Sequence, residues 1–461
     1  MYIFLFRRDL RIVDNVGFNR LVSEGNQILP VFIMNPEQID RQKNDFFSDK
    51  SVQFMSESLK DLDMSIKKAG GNGINLFYGN NLDVLDDIVL NNDIEGICLN
   101  EDYTPYSRKR DLEIAEQICF KNNVEFISNM DIPLYDFKQI ETKGGTAYKR
   151  FKWFHHNTKS MDVNQPINLS NQAEFYTGSI NSKYLSNFKK LKSFYKYNPY
   201  LIVNGGRNNG LKHMRGVIKK LKNYKAVRQT PLMTGQPTSS LMSAYLKFGC
   251  VSIREMYYEI LNYFDSSHEL IRQMVWRDFY YNIIWAYPET FLDNSHSYIR
   301  DFPWQNDYET FEKWCLGQTG LPFVDASMRQ LNREGYMSNR GRLACASFLI
   351  RNLHIDWKWG EKYFATQLVD YDPSQNNGNW QWVSSSGMES QAYYRYINPE
   401  KDLVEFDPYC IYVKKYIPEI RDVECHHIHS GSAGLYSDYI SPIVDVKETF
   451  SQFKDIVKSI K

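Results

Sequence analysis

Apolar residues keep two rhythms along this chain. Over residues 1–130, Tyr2–Phe6 and Ile28–Met34 are short continuous apolar runs. Ile74–Tyr78 and Ile97–Leu99 repeat that form, and Val124–Ile127 closes the series. Between the second and third runs, Val52, Met55, Leu59, Leu62 and Ile66 recur at helical spacing, and Gly70-Gly71 stops the stripe. Another helix is expected from about Ser107 to Cys119. Strands alternating with helices predict an α/β domain with a doubly wound parallel sheet, which binds ligands at the carboxyl ends of its strands. No G-x-G-x-x-G follows the first strand, so a dinucleotide site of that type is not expected there.

From about residue 212 onward the period is helical. Gly249 ends one helix, and Ser252-x-x-Glu255 reads as a capping box that opens the next. Val324, Met328 and Leu331 form a stripe behind Pro322, and Leu343–Ile350 is apolar almost all round, as a core helix is. The expected organisation is an α/β domain over residues 1–130, an irregular interdomain linker over 131–200, and an all-α domain over 201–461, with Asn204–Gly210 as a loop.

The composition, 43% hydrophobic and 24% charged, excludes a disordered tail or a coiled-coil rod. No apolar run approaches the roughly 20 residues of a membrane helix. The N-terminus has no signal-peptide pattern, so a soluble, cytoplasmic or nuclear protein is expected. Seven scattered cysteines without a CxxC suggest a reducing compartment, no disulfide framework and no zinc site. Cys425-His426-His427-Ile428-His429 could bind metal but reads better as a polar surface loop.

Net charge is zero, from 55 basic and 55 acidic residues, but the two signs are segregated. Residues 1–130 hold 14 Lys+Arg against 21 Asp+Glu, whereas Lys183–Arg228 holds 13 basic residues and no acidic one. Seven aromatic rings are interleaved with that basic block, a composition that favours phosphate backbones.

Three segments carry candidate chemistry. Thr238–Ser243 should open a helix, where hydroxyls and free N–H groups make an anion site, although an ordinary helix cap explains the same residues. Gln367–Trp382 combines Asp370 and Asp372 with Asn376-Asn377 and the indoles of Trp380 and Trp382. That makes a poor core but a good wall for a flat heteroaromatic ligand. Arg340 and Arg342 stand just before the buried helix. One could pair with Asp370 or Asp372 and the other could reach a phosphate.

On these residues the sequence resembles the photolyase/cryptochrome family over nearly its whole length. The matching segments are Phe6-Arg7-Arg8-Asp9-Leu10-Arg11 with Asp14-Asn15, Trp276-Arg277-Asp278-Phe279-Tyr280, Thr319–Leu331, Ser338–Arg342 and Asp370–Trp382, in order and spacing. The resemblance implies an α/β antenna domain and a helical domain that holds FAD. Tyr224 and Ser239, Ser240, Leu241, Met242 and Ser243 would hold the pyrophosphate. Arg342 would pair with Asp370 beside the isoalloxazine, Asp372 would touch its edge or the ribityl chain, and Asn376 would face flavin N5. Trp380, Trp357 and Trp304 match the family's electron-relay tryptophans, from innermost to outermost.

The substrate expected from the resemblance is damaged DNA carrying a cyclobutane pyrimidine dimer (CPD), repaired by a light-driven lyase acting as a monomer. Trp276 and Trp382 would flank the flipped dimer and Asn339 would bond a pyrimidine edge. Arg228, Arg277, Arg340 and Arg395 would contact DNA, the backbone above all. The histidines used by (6-4) photolyases are absent at Asn339 and Leu343, which argues against that activity. Gln273, a candidate lesion contact, stands where CPD enzymes carry Glu and is the residue (6-4) enzymes use, and Leu343 stands where bacterial CPD enzymes carry Met. Met337–Arg342 and Asp372-Pro373-Ser374 also resemble DASH-type cryptochromes, while Trp382 differs from their usual Tyr. A DASH-type enzyme on single strands, a signalling cryptochrome and a non-enzymatic nucleic-acid-binding protein are the alternatives. The last would explain the basic block but not the tryptophan register. A signalling member would carry a long extension, and the chain runs only about 80 residues past Trp382. The antenna chromophore, deazaflavin, folate, another or none, stays open: Asn100–Pro105 with Arg110-Asp111 is the generic antenna motif.

Overall fold

Strand β1 (Tyr2–Phe6) lies at the centre of a parallel sheet. It pairs on one side with β2 (Gln27–Met34) and on the other with β4 (Gly96–Asn100). β3 (Asn75–Tyr78) and β5 (Glu125–Asn129) complete the order β3-β2-β1-β4-β5. The computed structural model describes all residues except 232–236, 292–298, 390–395 and 461. β1 and β2 are buried on both faces because helices cover both sides, which is why their sequences are continuous apolar runs rather than alternating ones. The helical stripe beginning at Val52 is the helix Asp49–Lys68, capped by Ser48 and ended by Gly70 at φ +100°. A helix at Asn81–Asn91, buried through Val84, Leu85 and Ile88, had no counterpart in the sequence reading. The helix expected over Ser107–Cys119 starts at Pro105 and passes into a π-helical stretch, Ile114–Phe120.

Residues 131–200 return to the sheet. The two-residue strand β6 (Glu174–Phe175) pairs with the start of β2, and the helix Phe151–Thr158 packs on the helical domain. Asn204–Gly210 is only partly the expected loop, since a helix runs from Arg207 to Val217. Asp61 explains the difference: its carboxylate accepts from Asn208 N at 3.0 Å and Asn208 Nδ2 at 2.6 Å, capping the new helix from another element.

The C-terminal half is helical. The capping box at Ser252 and Glu255 is formed by both reciprocal hydrogen bonds. Leu343–Ile350 lies within the helix Asn339–Arg351, whose residues from Ala344 onward are buried. The Cys425–His429 segment forms a short helix rather than a loop. No group of three or more His, Cys, Asp or Glu side chains able to hold a metal occurs among the described residues, nor does a helix long and apolar enough to cross a membrane.

Candidate functional site

The helices Glu269–Ala286, Asn339–Arg351, Trp357–Gln367 and Pro373–Ser384, with Ser243–Lys247 and Met256, bound the main cavity of the helical domain, whose volume is about 310 Å³. The loop Ser239–Ser243 and Tyr224 close one side. The loop does not open a helix at Thr238, as expected. Leu241 adopts φ +51°, and the helix starts only at Ser243. Nor is it an ordinary side-chain cap, since Met242 at the N-cap position makes no such bond. The hydroxyls turn elsewhere: Ser243 Oγ donates to Asp370 Oδ2 at 2.7 Å, and Ser239 Oγ lies 3.4 Å from the Tyr336 hydroxyl.

Two ion pairs divide the acidic residues. Arg342 Nη2 donates to both oxygens of Asp370, at 3.1 and 2.9 Å. Burial opposes the guanidinium charge, and Asp370 more than restores it. Asp372 is bound to Arg8, which comes from just beyond β1 of the other domain, and accepts from the Tyr281 hydroxyl at 2.8 Å. Burial alone would raise Asp372, but Arg8 and Tyr281 outweigh it and hold the carboxyl below its ordinary range. Asp372 also caps the helix Pro373–Ser384 by accepting from Gln375 N at 3.1 Å.

Asn376, one turn into that helix, donates its amide to Glu361 Oε1 at 2.9 Å and to the Glu361 carbonyl at 3.2 Å. Burial pushes Glu361 up to about 7, against the hydrogen bonds from Asn376 and Tyr371. Lys247, also on the cavity wall, is lowered to about 7 by burial and by the nearby Arg8.

The three aligned tryptophans differ in exposure. Trp380 and Trp357 are buried, whereas Trp304 is partly exposed. Trp380 lines the cavity and packs edge-on against Phe364, with ring centroids 5.0 Å apart. Gly360 makes room for it: a Cβ there would stand 2.2 Å from the Trp380 ring.

At the cavity wall stand Arg228, Gln273, Arg277, Asn339 and Leu343, but neither Trp276 nor Trp382. Trp276 stacks face-to-face on Phe151, 3.6 Å between centroids and 6° between planes. Trp382 lines a separate hollow of about 30 Å³ beside Tyr280. Arg277 donates to the Ile132 carbonyl at 2.8 Å. Of the two arginines considered for a phosphate, Arg342 takes Asp370, and Arg340 is also engaged, donating through Nε to Asp402 at 2.7 Å. Arg395 lies outside the described residues. The sequence reading missed Glu361, Lys247, Arg8 as a partner of Asp372, and Glu269, which binds Arg228. Glu269 alone carried a local signal, lying four residues before Gln273 on the same helix.

The donor set fits a long anionic, aromatic ligand. Three guanidinium groups (Arg228, Arg277 and Arg342) and Lys247, whose charged form burial disfavours, line the cavity with two carboxylates, Asp370 and Asp372. Arg228 Nε is buried there without a partner among the described residues. Apolar side chains, among them Met242, Leu246, Met274, Phe364 and Trp380, line the same cavity.

Residues 2–169 match the DNA photolyase family and residues 270–459 match the FAD binding domain of DNA photolyase. The chain is 31% identical to a deoxyribodipyrimidine photo-lyase of Alkalihalophilus pseudofirmus, across 95% of this chain and 94% of that one. It is 30% identical to a cryptochrome DASH of Synechocystis, across 92% and 88%. Among solved structures, an archaeal photolyase from Sulfolobus tokodaii with two FAD molecules superposes with a TM-score of 0.87 at 34% identity, covering 99% of both chains. A class III photolyase from Agrobacterium tumefaciens gives 0.89 at 27%, covering 100% and 97%. The fold and its cavity define a two-domain flavoprotein of the photolyase/cryptochrome type. The chain belongs to the DNA photolyase family.

Proposed function

We propose that this protein is a deoxyribodipyrimidine photo-lyase that splits cyclobutane pyrimidine dimers in DNA under blue light. The observation that carries the reading is the cavity itself. Its inner wall holds Arg342–Asp370, Asn376 and Trp380, and Gln273 and Asn339 also line it. FAD would supply the light-driven one-electron donation. Ser239–Ser243 and Tyr224 would hold its pyrophosphate, and Arg342, Asp370, Asp372 and Asn376 its ring system.

The chain's own residues then have separable tasks. Arg342 brings positive charge to the cavity while Asp370 fixes its direction. Glu361 takes both amide protons of Asn376 on its own carboxylate and carbonyl, which leaves Asn376 Oδ1 as the group free to accept. Trp304, Trp357 and Trp380 would pass an electron inward to a bound flavin, Trp304 from the partly exposed end and Trp380 from the cavity wall. The lesion enters beside Gln273 and Asn339. Arg228, Arg277 and Arg395 would contact the flanking DNA, Arg340 only by giving up Asp402, and Trp276 and Trp382, which lie off the cavity wall on Phe151 and in the separate hollow, would flank the dimer only after turning toward it, where stacking would contribute about 1–3 kcal/mol per base. Flipping is cheapest for a base pair already unstacked by damage.

Asn339 and Leu343 are not proton donors, which separates this site from a (6-4) site. The second FAD of the Sulfolobus tokodaii protein adds a flavin to the deazaflavin and folate types as antenna ligands to test at the sheet's carboxyl edge. Illuminating the chemically reduced protein with a thymine-dimer oligonucleotide tests the reading. Return of intact thymines supports it, and no reversal in single or double strands overturns it.

A further inference from the structure

Gln273 lines the cavity from the helix Glu269–Ala286. The structure places a carboxylate one helical turn behind it. Glu269 Oε1 accepts from Gln273 Nε2 at 2.8 Å and from Arg228 Nη1 at 2.7 Å, while Arg228 Nη2 donates to Gln273 Oε1 at 2.8 Å. The three side chains close a ring of hydrogen bonds, and both Arg228 and Gln273 reach the cavity wall. Glu269 is largely buried.

The ring has only one working arrangement. Rotating the Gln273 amide by half a turn would set its oxygen against the Glu269 carboxylate and its N–H groups against the Arg228 guanidinium. Both contacts would then be between like partners. The Gln273 amide therefore keeps one N–H and one lone pair in a fixed sense for a third partner. Arg272 Nη1, 3.7 Å from Glu269, adds charge from the solvent side, and Tyr224 lies under Arg228, 5.7 Å from its ring centroid. His268 stacks on Tyr224 behind it.

We propose that Glu269 is a positioning residue for lesion specificity: through Arg228 it locks Gln273 so that the chain reads the dimer edge with an oriented neutral amide, while the negative charge stays one turn away, neutralised. This rests on the photolyase reading above and names how that site selects its substrate. A glutamate at 273 would put two carboxylates at i, i+4 on one arginine, with the present 2.8 Å N–H···O contact turned into O···O. Such a pair holds a proton between its members.

The test is the ratio of affinities for an oligonucleotide with one thymine dimer and for the same oligonucleotide undamaged, measured with the FAD-loaded protein. Glu269→Gln should lower this ratio about tenfold, the cost of one mis-set hydrogen bond, while undamaged DNA binds as tightly as before or more tightly because a negative charge is gone. Gln273→Glu should make the ratio pH-dependent, high in acid where the pair is protonated and falling as the pH rises. The exchanged pair Glu269→Gln with Gln273→Glu rebuilds the ring with its charge transposed. It should recover the ratio to within about threefold and flatten the pH profile. An unchanged ratio in Glu269→Gln, or a loss that the exchange does not recover, overturns the proposal. A wild-type protein that does not prefer the dimer overturns the photolyase reading as well, whereas preference and repair by wild type with insensitive variants overturns this proposal alone.

Discussion

Glu361 and Asn376 face each other across two helices, joined by an amide-to-carboxylate hydrogen bond of 2.9 Å. The carboxyl is buried enough to sit at about 7, well above an ordinary glutamate. Its protonation is thus stored in the fold beside the residue expected at the flavin.

That storage has a definite sign. The folded chain holds the Glu361 proton up to pH 7, whereas the unfolded chain releases it near 4.5. Burial of Glu361 therefore destabilises the fold progressively as the pH rises from about 4.5 to 7, by at most about 3 kcal/mol, and no further above that. Glu361→Gln retains a hydrogen-bonding oxygen but does not titrate. Urea unfolding of wild type and variant at pH 5 and pH 7.5 should show the variant losing less stability over that interval. Equal losses would remove Glu361 from the account.

Gly360 and Trp380 give a packing prediction. A methyl group at 360 would fall 2.2 Å from the indole and 2.5 Å from Leu349, and neither can move freely in this core. Gly360→Ala should destabilise the protein by about 1–3 kcal/mol and slow photoreduction of bound flavin. Thermal unfolding and flash photolysis check the two effects separately.

The relay makes a prediction with a built-in control. Trp304→Phe removes the only partly exposed member of the expected chain. Photoreduction of the oxidised protein should slow markedly, while repair by protein already reduced with dithionite should be unchanged. Loss of repair in the reduced state would contradict a relay role.

Arg342 and Asp370 give a cofactor prediction. Asp370→Asn keeps the shape but removes the charge that fixes Arg342. The flavin-to-protein ratio after purification should fall, with FAD affinity weakened roughly tenfold. The fold should remain cooperative, since Ser243 can still donate to the amide oxygen.

The strands of the sheet were legible because both their faces are buried, so that Tyr2–Phe6 and Ile28–Met34 read as unbroken apolar runs. The capping box at Ser252 was legible because its whole mechanism lies within four residues. The helix starting at Arg207 was not, because its cap is Asp61, far back in the chain. Likewise Arg8 and Asp372 are 364 positions apart, and no local pattern in either segment foretells their pairing. Glu269 lay in plain view on the helix of Gln273, but a carboxylate four residues before an amide is unremarkable until Arg228 is brought to both.

The most direct test of the central claim uses the FAD-loaded protein, chemically reduced, with an oligonucleotide carrying one thymine dimer. Dimer content is followed by chromatography before and after blue light. The account predicts reversal to two intact thymines only in the illuminated sample. Dimers that persist under illumination with the flavin bound and reduced would contradict it.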